Sequence, residues 1–185
     1  MKRVSRYLTH FPVLGKGVYI APGAQVIGRA DFGENVNIWH NCVIRADVNF
    51  IKIGENTNVQ DLSMLHVTEL NSLTLGKNTS LGHSVVLHGC KIGDGCLIGM
   101  GAIILDGAEI GDNCLVAAGS LVSPGKKFPA GSMIKGRPAV VERALTPEEI
   151  HKIANHYMAY IGYKDQYLRM EEEDGTHQEK PGHKD

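Results

Sequence analysis

The chain has 185 residues, with 19 Lys+Arg against 20 Asp+Glu and a formal net charge of −1, which suits one compact domain and gives no electrostatic reason to expect nucleic acid. No apolar run reaches the roughly 20 residues of a membrane span, and the first residues lack the apolar centre of a signal peptide, so the composition predicts a soluble, cytoplasmic protein without a membrane partner. Glycine is frequent at 22 residues and aromatics make up only 6%, so small aliphatic side chains must fill the core, as they do in a repeat.

A short N-terminal segment, 1–13, precedes a period of six that runs over 14–125. Leu14, Ile20, Val26, Phe32, Ile38 and Ile44 open it; after three short re-phasings it continues as Ile53, Val59, Leu65, then Leu75, Leu81, Leu87, then Ile92, Ile98, Ile104, Ile110, Val116, Val122. A glycine follows the first member of every triplet (Gly15, Gly33, Gly54, Gly76, Gly93, Gly111), and small residues such as Ala24, Cys42, Ser63, Thr79, Cys96 and Ala102 recur four places after the aliphatic ones. A period of six is neither helical nor that of an amphipathic strand. It fits a triangular prism in which three hexapeptides make one coil, so the sequence predicts an all-β parallel β-helix of about six coils with the aliphatic residues on its axis. Cys42, Cys96 and Cys114 fall on the inward small positions and no CxxC occurs, which reads as reduced structural thiols; Cys90 lies beside a re-phasing and the period does not place it.

A connecting loop over 126–145 carries Pro129, Gly131, Gly136 and Pro138. A C-terminal α-helix over 146–170 follows, with Thr146 as cap, Pro147 at the first helical position and Glu149 completing a T-x-x-E box. Its apolar stripe runs through Ile150, Ile153, Ala154, Tyr157, Ile161, Lys164 and Leu168. Residues 171–185 turn polar and lose periodicity, which predicts a disordered tail with His177 and His183 outside any site.

The histidines fall in two columns. His66 and His88 each follow the third aliphatic residue of adjacent coils and stack at one corner, with Arg45 one coil earlier and Asp47 just beyond it. His83 stands two residues after the second aliphatic residue, in a column with Asp61 and His40 at another corner. One prism face, roughly 16 Å of extended chain, separates the corners. His66 and His88 can share a metal; His83 does not easily join them within one chain, and a neighbouring chain could supply it. Such a heterologous contact closes most simply as a ring of three. Three imidazoles with an open position suit Zn2+, Fe2+ or Co2+. Against this stands the plainer reading of His40 as a solvated turn residue, of Arg45 and Asp47 as a structural ion pair, and of Gln60 and Asp61 as groups that satisfy the corner backbone. Glu69 lies in a loop beside His66, where a carboxylate can relay protons or simply be solvated.

Trp39, Val43-Ile44-Arg45-Ala46-Asp47, Asn58-Val59-Gln60-Asp61, Leu65-His66-Val67, Gly82-His83, Leu87-His88-Gly89 and the C-terminal helix together resemble the γ-class carbonic anhydrase-like family of hexapeptide proteins. The resemblance covers nearly the whole chain. It implies a left-handed β-helix, a homotrimer, and zinc or iron(II) held by His66 and His88 of one subunit and His83 of the next. It also implies an Arg45 to Asp61 type salt bridge between subunits, roles for Gln60 and Tyr157 near solvent on the metal, and reversible hydration of CO2 to bicarbonate, in which the metal lowers the pKa of its bound water. The chain departs from the pattern at Val48, which follows Asp47 where the resemblance would place a carboxylate, and in a short loop whose only acidic residue is Glu69. Two other readings compete: a hexapeptide acyltransferase or acyl-CoA thioesterase with one histidine as base, and a scaffold trimer that keeps its metal as a structural clip.

Overall fold

In the computed structural model, which describes residues 9–173, the chain winds into a parallel β-helix closed at one end by a hairpin and flanked by C-terminal helices. The period explains the winding. All aliphatic positions from Phe32 to Val122 are buried, and successive coils pair in parallel with the same position above itself: Ile44 pairs with Leu65, Leu65 with Leu87, and Leu87 with Ile104. Strand neighbours lie about 4.8 Å apart, so each axial side chain contacts its counterparts above and below and the core is one continuous column.

The corners follow from residues that tolerate φ > 0 or lack a Cβ. Asn35, Asn56, Asn78 and Asn113 all have φ between 54° and 59°, and two links of an amide ladder join the first three, Asn35 Nδ2 to Asn56 Oδ1 at 3.2 Å and Asn56 Nδ2 to Asn78 Oδ1 at 3.0 Å. The glycine column has a different cause: a Cβ on Gly54 would lie 2.6 Å from the Gly76 carbonyl carbon, so the coils could not close at that corner. The inward small residues hydrogen-bond between coils. Thr79 Oγ1 donates to Gly93 O, Cys96 Sγ to Gly111 O and Cys114 Sγ to Pro129 O. All four cysteines are free and buried, and Cys90 packs inside with the others. Burial pushes the Cys42 thiol up to about 11 and the Cys90 thiol up to about 12.

Two sequence boundaries shift. The stretch expected as a loop over 126–145 carries strands Lys127–Phe128, Ser132–Gly136 and Ala139–Ala144. The prism therefore continues into a seventh coil, with Phe128 over Ile110 and Ile134 over Val116, and the antiparallel return of Ala139–Ala144 covers its edge. Proline and glycine mark corners here, and the larger Phe128 hides the period. The helix expected over 146–170 is two helices, α1 (Pro147–Ala154) and α2 (Tyr157–Glu173), separated at Asn155 and His156, and α2 takes in residues 171–173, expected in the disordered tail. The Thr146 cap and the Glu149 capping box form as expected. Residues 1–8 of the N-terminal segment and 174–185 of the tail, including His177 and His183, lie outside the described residues. Among the described residues, no helix is long and apolar enough to cross a membrane.

The three faces differ in what they show outward. One presents Asp31, Lys52, Thr74, Lys91, Glu109 and Lys127. The second is overlaid by α2, whose Tyr160 and Leu168 pack on Tyr19, Ala21 and Trp39. The third presents Val43, Met64, Val86, Ile103 and Leu121, an apolar column that stays partly accessible along its length, with Met64 47% exposed.

Candidate metal centre

The third face ends at the corner where strands Val43–Ile53, Met64–His66 and Val86–His88 pair in register, Arg45 with His66 and His66 with His88. Because side chains alternate along a strand, burying Leu65 and Leu87 on the axis turns the two following histidines outward. The rings meet. His66 Nδ1 lies 3.1 Å from His88 Nε2, with ring centroids 5.1 Å apart.

Each ring's other nitrogen meets a carboxylate. His66 Nε2 is 3.1 Å from Asp47 Oδ1 of the second coil, and His88 Nδ1 is 2.7 Å from Asp106 Oδ1 of the fifth. The Arg45 guanidinium also binds Asp47. Burial would raise the Asp47 carboxyl, but hydrogen bonds from Arg45 and His66 outweigh it and hold the group below the usual carboxylate range. Burial lowers the pKa of His66, which Asp47 opposes and Arg45 and His88 reinforce, so the ring favours its neutral form.

This order of groups constrains the protons. An ionised carboxylate only accepts, so the outer nitrogens of both rings carry hydrogens. The inner nitrogens, 3.1 Å apart, are then bridged by a hydrogen bond when one ring is charged, and when both rings are neutral they present two lone pairs that a cation can bridge. Two imidazoles on one tetrahedral ion at about 2.05 Å place their nitrogens roughly 3.3 Å apart. The residues present fit half of a metal site with its outer carboxylates already in place. Among the described residues, no three His, Cys, Asp or Glu side chains of this one chain gather into a complete set.

His83 stands at the other corner, as its column implies. Its Nδ1 is 2.9 Å from Asp61 Oδ2, and Asp61 Oδ1 is 3.4 Å from His40 Nδ1. His40 therefore has a carboxylate partner and stacks near Trp39 and Tyr167. Within the chain Arg45 pairs with Asp47, and Asp61 holds the two histidines. Gln60 is buried next to them, its Nε2 donating to Asn58 Oδ1 at 3.1 Å. From there the bonds run on, Asn58 Nδ2 to Ser80 Oγ at 2.7 Å and Ser80 Oγ to His156 Nδ1 at 3.1 Å. This run ties His156, at the junction between α1 and α2, to the second face of the prism.

Tyr157 opens α2, and Tyr160, one turn later, is the tyrosine beside Asp61: burial first, then the charge of Asp61, raises its pKa. Glu69 is exposed on the loop after His66, whose backbone is held by Asn49 Nδ2 at Thr68 O and Glu69 O, 2.9 and 3.2 Å away. Val48 packs against the axial core. Sequence reasoning missed Asp106, Tyr160 and the Ser80 to His156 contact. Asp106 had a signal, since it stands one coil above Gly89, the residue after His88. The other two depend on how the helices dock, which no repeat period encodes.

Residues 72–105 and 89–124 match the bacterial transferase hexapeptide (six repeats) profile. The chain is 42% identical over 156 residues to the mitochondrial gamma carbonic anhydrase 2 of Arabidopsis thaliana, an alignment that covers 81% of this chain and 56% of that protein. It therefore spans just over half the length of that relative. It is 46% identical over 149 residues to a probable carbonic anhydrase of Methanocaldococcus jannaschii, covering 80% of this chain and 94% of the relative. Among solved structures, a putative acetyltransferase of Bacillus cereus superposes with a TM-score of 0.85 at 41% identity, covering 89% of this chain and 95% of that one.

Proposed function

The chain belongs to the γ-class carbonic anhydrase-like family of hexapeptide-repeat proteins, and from that premise we propose that it is a metal-dependent enzyme that interconverts CO2 and bicarbonate at sites shared between the subunits of a homotrimer. The observation that carries this reading is the run Asp47, His66, His88, Asp106, which brings a nitrogen of each imidazole within 3.1 Å of the other while a carboxylate stands at each outer nitrogen. His66 and His88 would hold Zn2+, or Fe2+ or Co2+, and His83 of a neighbouring subunit would complete the set. A bound ion supplies Lewis-acid activation of water near neutral pH.

The chain's own groups do the rest. Asp47 and Asp61 would accept hydrogen bonds from His66 and His83 and so orient those rings. Gln60 donates from its amide nitrogen to Asn58, which leaves Oε1 to accept a hydrogen bond from solvent and orient it. Arg45, 43% exposed, contributes positive charge beside the site for bicarbonate and a guanidinium at the subunit boundary. Glu69 is the carboxylate that would take a proton to bulk water, and the family resemblance assigns Tyr157, at the head of α2, to solvent near the metal. The apolar column Val43, Met64, Val86, Ile103 and Leu121 supplies the burial that brings subunits together. Four free thiols suit a reducing compartment, the cytoplasm.

The test is metal content per trimer together with stopped-flow CO2 hydration on protein reloaded with zinc or iron(II). The expected result is three ions per trimer and hydration that tracks them. Full metal without hydration would refute the catalytic half and leave a scaffold trimer. The likeness to a putative acetyltransferase supports one competing reading, acyl transfer from an acyl-CoA. Its signature is CoA-dependent turnover that survives removal of the metal.

A further inference from the structure

We infer that Asp106 is the positioning residue that fixes the tautomer of His88 and thereby keeps the His88 Nε2 lone pair aimed into the site. The inference rests on the proposed metal centre and deepens it. Asp106 belongs to none of the repeating columns, since it is neither axial, nor an inward small residue, nor a member of the glycine column. Its Oδ1 lies 2.7 Å from His88 Nδ1, the shortest of the carboxylate contacts to the three candidate ligands, which are 3.1 Å at His66 and 2.9 Å at His83.

The local backbone is built around that contact. A Cβ on Gly89 would stand 2.7 Å from Asp106 Oδ1 and 2.7 Å from Asn71 Cβ, so the missing side chain is what admits the carboxylate beside the ring. Gly89 also has φ +50°, a conformation glycine adopts without strain. The main chain around Asp106 is tied to coils on both sides, Gly107 N to Gly89 O and Gly125 N to Asp106 O, each at 2.8 Å. The carboxylate is therefore delivered to His88 by backbone geometry. Asp47 divides itself between His66 and Arg45, and Asp61 between His83 and His40. With the hydrogen held on Nδ1, Nε2 has no proton to lose before it binds a cation. Without Asp106 the proton can occupy either nitrogen, and the tautomer protonated on Nε2 cannot ligate at that atom.

The experiment measures two quantities on the full chain, for the unmodified protein, Asp106→Ala and Asp106→Asn. Nitrogen-15 NMR of the metal-free protein reads which His88 nitrogen is protonated, and a competition titration with a chromophoric chelator reads zinc affinity. Asp106 is at the surface, 39% exposed, so both variants should fold. Expected is protonated Nδ1 in the unmodified protein and in Asp106→Asn, whose amide oxygen still accepts the hydrogen bond. In Asp106→Ala the proton moves toward Nε2 and zinc affinity falls about 10- to 100-fold, with Asp106→Asn in between. An Asp106→Ala variant with unchanged tautomer, or with unchanged zinc affinity while His88→Ala binds none, overturns the inference and leaves the metal centre standing. A shifted tautomer in a chain that takes up no zinc supports the hold of Asp106 on the ring and overturns the metal reading instead.

Discussion

Replacing Gly54 by alanine should cost far more than replacing Gly101, although Gly101 has the more restrictive backbone. At Gly54 the new Cβ would sit 2.6 Å from the carbonyl carbon of Gly76 and 2.6 Å from the amide nitrogen of Lys77, about 0.8 Å inside the 3.4 Å at which ordinary contacts begin. Both obstacles are backbone, so the only relief is to pry coils apart at that corner. That strains Gly54 N to Leu75 O at 2.9 Å, Asn78 N to Glu55 O at 2.9 Å and the Asn56 to Asn78 amide link at 3.0 Å. Overpacking of this kind costs about 1–3 kcal/mol, and a weakened hydrogen bond adds about 1 kcal/mol, so about 3 kcal/mol is a fair expectation. Gly101 has φ +65° but open space, with nothing within 4 Å of where the methyl group would stand, so its alanine costs only the left-handed backbone penalty, about 1–2 kcal/mol. For a chain of this size 1 kcal/mol corresponds to about 2–4 °C in Tm, giving losses of about 6–12 °C and 2–8 °C. Thermal melts by circular dichroism at one protein concentration decide it. Equal losses, or a larger one at Gly101, would refute the claim that coil contact rather than φ explains the glycine column.

Three further outcomes follow from the same structure. His88→Ala should abolish zinc uptake measured by equilibrium dialysis; full occupancy would remove His88 from the ligand set. Stability should fall with acidification. His156 and His66 both have pKa values lowered by burial from the ordinary 6.5, so the unfolded chain binds more protons and stability is lost as pH drops through 6.5 toward the folded values; His156→Gln should flatten urea midpoints over that window, and an unchanged slope would count against it. Native protein should resist thiol alkylation at neutral pH, because all four cysteines are buried, whereas denatured protein should take four labels by mass spectrometry.

How much is legible in the sequence depends on whether a residue obeys the period. The axis from Phe32 to Val122, the two histidine corners and the Thr146 cap all follow from spacing, because in a stacked coil a sequence offset translates directly into a position in space. The seventh coil escaped because Phe128 replaces an aliphatic residue and Ser132 follows Pro129 and Gly131, which look like punctuation in a linker but form corners. The break between α1 and α2 has a local mark in Asn155, which caps α1 with its Nδ2 on His151 O, but the contact of His156 with Ser80, 76 residues away, has none. Asp106 could be placed in its corner but not recognised, since its meaning comes from the ring it touches one coil below.

Register between coils has one more consequence. Asp47, His66, His88 and Asp106 occupy the second to fifth coils, one residue per level, so their spacing along the stack follows the register between coils. The stack could lengthen or shorten by whole turns beyond those levels without moving one of these groups relative to another, whereas a turn gained or lost between His66 and His88 would leave a well-formed prism with its two rings out of reach. Length is thus a neutral variable at the ends of this molecule and a decisive one across its middle.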